Sequence, residues 1–170
     1  MEEKSRISIR LLTPADAARF RDIRLEALQQ NPEAFGSSFE WENGQSLAWF
    51  EERIAQSDIF GAFVDGDLVG TAGFRVQDGP KRSHKGLLWG MYVRPTARHS
   101  GLGRRLVEAV VSHASERVEL LQLTVVSENR TARQLYAGLG FVEYGYEKKA
   151  LKHDGRYYDE ILMVRFLAQT

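Results

Sequence analysis

The chain has 170 residues, 43% of them hydrophobic, and its 23 acidic side chains balance 23 Lys plus Arg. That length and apolar content fit one domain with a sizeable core, and the balanced charge gives no global signal for nucleic acid. There is no cysteine, which excludes disulfides, thiolate metal sites and an acyl-cysteine intermediate and fits a reducing cytoplasm.

The opening MEEKSRISIRLL holds no apolar run of signal-peptide length, and no later stretch approaches the roughly 18 apolar residues of a membrane span, so neither secretion nor a membrane partner is expected. Ile7, Ile9 and Leu11 alternate with polar residues and predict a first strand. Thr13-Pro14-Ala15-Asp16 reads as a helix start: Thr as N-cap, Pro in the first helical position, Asp in the first turn. Phe20, Ile23, Ala27 and Leu28 continue that helix to a stop near Asn31-Pro32. PEAFGSSFEWENGQ is irregular, and Leu47, Phe50 and Ile54 then suggest a second helix capped by Ser46. Asp65-Gly66 between two β-like runs predicts a hairpin. LLWGMYV, apolar on both faces, reads as a central strand. A helix face follows from Leu102, Leu106, Ala109, Val110, His113 and Ala114, then a buried strand, LLQLTVV. A last helix, Thr131 to Leu139, closes at Gly140, and two strands around Asp154-Gly155 end the chain. The expected order is βααβββαβαββ: a single α/β domain over 1–170, its core about 7–167, with a mixed sheet of about seven strands flanked by helices.

The stretch VRPTARHSGLGRRLVEAV, residues 93–110, puts two glycines and four arginines where a strand hands over to a helix. Amides at a helix start are unsatisfied donors with roughly half a positive charge, a ready-made anion site. Gly101 and Gly103 leave room for a phosphate to approach those amides, and Arg98 and Arg104 stand close enough in sequence to add charge. The other reading makes Gly101 a plain turn residue and the arginines a solvated helix face; a lone G-x-G does not separate the two. It is not a Walker loop, since no Lys-Ser or Lys-Thr follows the glycines, and not a dinucleotide fingerprint, since Leu106 takes the third glycine's place.

Arg98-x-x-Gly101-x-Gly103 after LLWGMYV resembles the coenzyme A pyrophosphate loop of the GNAT family of N-acetyltransferases. About thirty residues on, VVSENRTARQLYAGLGFVEYGYE resembles that family's next strand and helix, with Asn129 and Tyr136 at the positions that contact the cofactor and face its thiol. The resemblance implies acetyl-coenzyme A as co-substrate, no metal, a cytoplasmic protein and room for a homodimer. It implies that the backbone of Met91, Tyr92 and Val93 pairs with the pantetheine arm. It assigns the diphosphate to Arg98, His99, Ser100, Gly101, Leu102, Gly103 and Arg104. Tyr136 becomes the general acid, because a phenol with a reference pKa near ~10 stays protonated at neutral pH. Packing beside Leu135 and Leu139 is the other reading of Tyr136, and a helix N-cap the other reading of Asn129.

Many members of the family carry a Glu on the strand before the glycines, and LLWGMYV has no acid. Glu40, Glu42 and His84 are the candidates for a more distant base, each equally readable as a solvated loop residue. Without cysteine, direct attack in a ternary complex is expected. The irregular segment brings Phe35, Phe39 and Trp41 with Glu33, Glu40 and Glu42, a wall suited to a cationic amine; Phe35 and Phe39 at i, i+4 are also readable as core. The last hairpin brings Lys148, Lys149, Lys152 and Arg156 beside Asp154, Asp159 and Glu160, which suits an acceptor with a carboxylate or phosphate. The implied partner is a small-molecule, peptide or protein amine. The alternative is a coenzyme A-binding sensor or partner domain without turnover.

Overall fold

The computed structural model describes residues 5–168, so the expected limits of 1–170 reach past it at both ends. The alternating first segment forms β1 (Ile7–Leu11). Three helices follow, α1 (Ala17–Gln30), α2 (Phe39–Asn43) and α3 (Leu47–Gln56), then three strands, β2 (Asp58–Val64), β3 (Asp67–Val76) and β4 (Lys85–Val93). After them come α4 (Leu102–Ser115), β5 (Leu120–Val126), α5 (Arg130–Gly138), β6 (Val142–His153) and β7 (Arg156–Phe166). The strands make one mixed sheet in the order β1-β2-β3-β4-β5-β7-β6. β4 and β5 run parallel because α4 crosses between them, and the other pairs are antiparallel. Both Asp-Gly pairs sit in two-residue hairpin turns with both residues at positive φ, 51° and 90° at Asp65-Gly66 and 48° and 76° at Asp154-Gly155.

The irregular segment is more ordered than periodicity predicts. Pro32–Ala34 forms a 3-10 turn, and α2 adds a third helix before β2, its start capped by Ser38 Oγ accepting from the Trp41 amide at 3.3 Å. Five residues are too few for a 3.6-residue repeat to show. The helix starts at Pro14 as expected, with Thr13 at the N-cap and Asp16 in the first turn; that turn, Pro14–Asp16, is 3-10 and runs directly into α1 at Ala17. Asp16 is held there by the Thr13 amide at 2.8 Å and by both terminal nitrogens of Arg10, at 2.8 and 3.0 Å. Arg10 is the main reason its carboxyl is pulled down to a pKa of about 2.

Each face of the sheet buries its own core. Leu106, Val107 and Val110 of α4 meet Phe74, Leu121 and Met163 on one face, while Phe20, Ile23, Phe50 and Ile59 pack on the other. Val107 and Val111 widen the expected face of α4, on which Ala109 and His113 are half-buried and the His113 ring stands edge-on to Phe60 and Phe74, since a helix lying flat on the sheet needs a wider apolar stripe than a minimal face. Each such side chain, fully buried, contributes about 1.5–3 kcal/mol. β4 serves both cores, Leu88 toward one and Tyr92 toward the other, which is why its sequence is apolar on both faces. No helix among the described residues is long and apolar enough to cross a membrane.

Candidate active site

Two irregularities in β4 open the site. It pairs with β5 only through Lys85–Leu87 against Leu120–Gln122, and the strands then part. Against β3, Thr71 faces Tyr92 while Gly73 faces Trp89, so three steps on β4 match two on β3. The extra residue is a bulge at Gly90, whose φ of 63° suits glycine, and the Thr71 hydroxyl donates to the Gly90 carbonyl at 3.3 Å. The parting leaves a cleft of about 650 Å³ walled by Leu88–Val93 of β4, Thr124–Val126 of β5 and the inner side of α5. Along that wall the backbone edge of β4 has no strand partner among the described residues, a position an extended ligand can take up by strand addition. Met91, Tyr92 and Val93 all lie on it. The Tyr92 side chain leaves on the opposite face, where burial and the Glu26 carboxylate, 3.0 Å from its hydroxyl, push its pKa up to about 12.

At the end of β4 the chain turns into α4 with His99 at φ 62° and Gly101 at φ 79°. Left-handed residues alternating with ordinary ones are a pattern that can gather successive amides into an anion-binding nest, and this one stands at the start of a 14-residue helix. Gly101 is needed for its conformation, since a Cβ there would meet nothing within 4 Å. Gly103 serves packing as well as access, because its Cβ would stand 3.1 Å from Met91 Cε and 3.6 Å from Leu135 Cδ2.

Two of the basic groups depart from expectation. Arg98 lines the cleft, but its Nε donates to the Val93 carbonyl at 2.9 Å and staples the turn to β4. Arg104 is exposed, pairs with Glu108 one helical turn on at 3.0 Å, and does not line the cleft. Ser100 likewise lies off the lining and donates to the Ala97 carbonyl. His99, Leu102 and Gly103 do line it.

Across the cleft, Asn129 Oδ1 accepts from the Ala132 amide at 3.2 Å and caps α5, and the residue also lines the cavity. Tyr136 is buried, its ring edge-on to Phe141 at 5.9 Å between centroids, and it too forms part of the cleft wall. Its hydroxyl has no hydrogen bond among the described residues yet is not sealed in. Burial pushes its pKa well above that of an ordinary phenol, so the proton is retained.

The three candidate bases are not brought there. Glu42 is 1% exposed and bound bidentately by Arg24, Nε–Oε2 at 3.0 Å and Nη2–Oε1 at 2.9 Å, so both carboxylate oxygens are engaged in the packing of α1 on α2. Glu40 is exposed and lines neither this cleft nor its neighbour. His84 is exposed just before β4, at the end of the strand away from the bulge. Phe35 is extended and lies before α2, so it and Phe39 do not form one helix face.

The acid that reaches the cleft from the irregular segment is Glu33, on the 3-10 turn. With Phe35 it also lines a second, open cavity of about 390 Å³, which Trp41 and Leu151, Lys152 and His153 of β6 line as well. No spacing marks Glu33 in the sequence; Pro32 alone hints that the turn is ordered. Glu128, the other acid on the cleft wall, is paired with Arg156 at 2.7 Å.

A model of the acetyltransferase (GNAT) family matches residues 20–141. The chain is 28% identical to the L-amino acid N-acetyltransferase AaaT of Escherichia coli, over 95% of this chain and 98% of that one. It is 35% identical to the aminoglycoside N(6')-acetyltransferase type 1 of Stenotrophomonas maltophilia, over 61% of this chain and 64% of the other. Its fold superposes with a TM-score of 0.80 on yncA of Salmonella typhimurium, solved with its cofactor acetyl-CoA, at 21% identity over 96% of this chain and 95% of that one.

Proposed function

The chain belongs to the GNAT family of acetyltransferases, and we propose that it moves an acetyl group from acetyl-coenzyme A directly to the primary amine of a small molecule, peptide or protein. One observation carries this reading: a single cleft holds the unpaired edge of β4, the turn before α4 and the Tyr136 phenol. The two curated relatives act on an amino acid and on an aminoglycoside, both amines, and the yncA structure holds acetyl-CoA.

Acetyl-coenzyme A supplies the acetyl group as a thioester. The backbone of Met91–Val93 binds its extended arm, and the amides from His99 to Gly103 take the diphosphate, with Asn129 and the Arg98 cation at the rim. These groups hold the thioester in place for the amine, which converts a two-body encounter into a positioned one. The neutral amine attacks the carbonyl carbon, the C–S bond breaks with its electron pair on sulfur, and Tyr136 donates its proton to that sulfur. The phenol recovers a proton from the nitrogen as the amide forms. With no acid on β4, the amine arrives neutral by losing its first proton to solvent.

The test is coenzyme A release, followed with a thiol reagent over a panel of primary amines; the protein has no thiol to give background. Release that depends on the amine is expected. Acetyl-coenzyme A at ~100 times its dissociation constant is expected to add about 2.7 kcal/mol of stability. A raised melting temperature with no release from any amine identifies a coenzyme A-binding domain without turnover.

A further inference from the structure

The second cavity shares a wall with the cleft and has a charge pattern of its own. Glu33 and Phe35 belong to both. The other acids near this junction are engaged: Glu42 by Arg24, Glu128 by Arg156, and Glu26 by Tyr92 and Arg94. Glu33 has no hydrogen bond or ion pair among the described residues, and it is the one carboxylate on the lining of the second cavity. Lys152 and His153 of β6 also line that cavity. The Lys152 ammonium lies 5.1 Å from the centre of the Tyr157 ring and has no carboxylate partner among the described residues. His153 Nε2 is 3.4 Å from Asp154, whose side chain is turned out to solvent at the hairpin tip.

Building on the acetyltransferase reading, we propose that the acceptor is a primary amine that also carries an anionic group, with its ammonium received by Glu33 and its anion held by Lys152 and His153. Glu33 belongs to the wall shared with the cleft, whereas Lys152 and His153 line the second cavity and not the cleft, so an amphoteric molecule is oriented with its amine toward the thioester. Phe35 and Trp41 supply the apolar sides between them. A polycation meets one carboxylate and then two basic groups, and the charge it leaves beside Lys152 is unpaired. A carboxylate and a phosphate present the same chemistry to Lys152, and the assay separates them.

The experiment uses the full chain with acetyl-coenzyme A and compares kcat/KM for matched amines: L-phenylalanine against L-phenylalaninamide, O-phosphoethanolamine against ethanolamine, and spermidine. At least one anionic member is expected to exceed its neutral counterpart ten-fold or more, with spermidine poorest. The pair that shows the preference tells carboxylate from phosphate. Lys152→Glu is expected to invert the preference, and Glu33→Gln to raise KM for the preferred amine while leaving the acetyl-coenzyme A melting shift in place. If none of the five turns over, the same pairs are compared by the melting temperature of the coenzyme A-saturated protein, where the same order is expected. Neutral amines or spermidine equal to or better than the anionic ones, or a preference untouched by Lys152→Glu, overturns the proposal. Absence of any acetyl-coenzyme A melting shift in the wild type overturns the acetyltransferase reading instead.

Discussion

The cleft between β4 and β5 and the cavity beyond Glu33 share the turn that carries Glu33 and Phe35, yet otherwise they are built from different parts of the chain. On the proposed cofactor side the working groups are backbone: the edge of β4 after its bulge and the amides of the turn into α4. Side chains there are kept out by glycines at positive φ, Gly90 and Gly101, or spent on holding the backbone, as Arg98 is on Val93. On the proposed acceptor side the working groups are the side chains of a 3-10 turn and a hairpin, Glu33, Lys152 and His153, with rings between them. A backbone site is shared by every chain that keeps the turn, whereas a side-chain site is rewritten by single substitutions. One fold can thereby keep its cofactor and exchange its acceptor.

The largest effect expected on the cofactor side comes from Tyr136→Phe, which removes one oxygen. Turnover falls about 10²–10⁴-fold, while the melting shift from acetyl-coenzyme A is retained. Because burial raises the phenol's pKa, its proton stays on through alkaline pH. Wild-type activity is expected to climb with pH as the amine deprotonates, with no fall near pH ~10 from loss of the acid. Unchanged turnover in the Phe variant reduces Tyr136 to packing against Phe141.

Next in size is the contrast between two glutamates on one short helix. Glu42→Ala strands the Arg24 cation in the interior and is expected to cost about 3–5 kcal/mol. At this chain length that is roughly 6–20 °C in Tm. Glu40→Ala is expected to stay within about 0.5 kcal/mol and to leave acceptor kinetics unchanged. Altered acceptor KM in the Glu40 variant would return that residue to the site.

The smallest effect sharpens the claim that glycine serves conformation. Gly101→Ala and Gly155→Ala each place a Cβ in open space at a positive φ, 79° and 76°, so each is expected to lose about 1–2 kcal/mol. Calorimetry with coenzyme A separates them: the Gly101 variant binds more weakly and the Gly155 variant binds as wild type. Equal binding by both places the diphosphate elsewhere.

The amino-acid sequence by itself determined the seven strands, the two Asp-Gly hairpins, the central place of LLWGMYV and the glycine turn, because each is a local pattern: a period of two, a dipeptide that tolerates positive φ, an apolar run, a missing side chain. Tyr136 and Asn129 were singled out through the resemblance of their segment to a family motif, and both line the cleft. Tertiary structure alone decided the rest. The parting of β4 from β5 depends on strands more than thirty residues apart, and α2 is too short to show a period. Glu33 and Glu42 lie nine positions apart in one polar segment, and nothing local distinguishes them. Arg24 distinguishes them: it folds against α2, engages Glu42, and leaves Glu33 as the acid at the wall shared by the two cavities. Burial and pairing are set by which helices pack together, and that is a property of the whole fold.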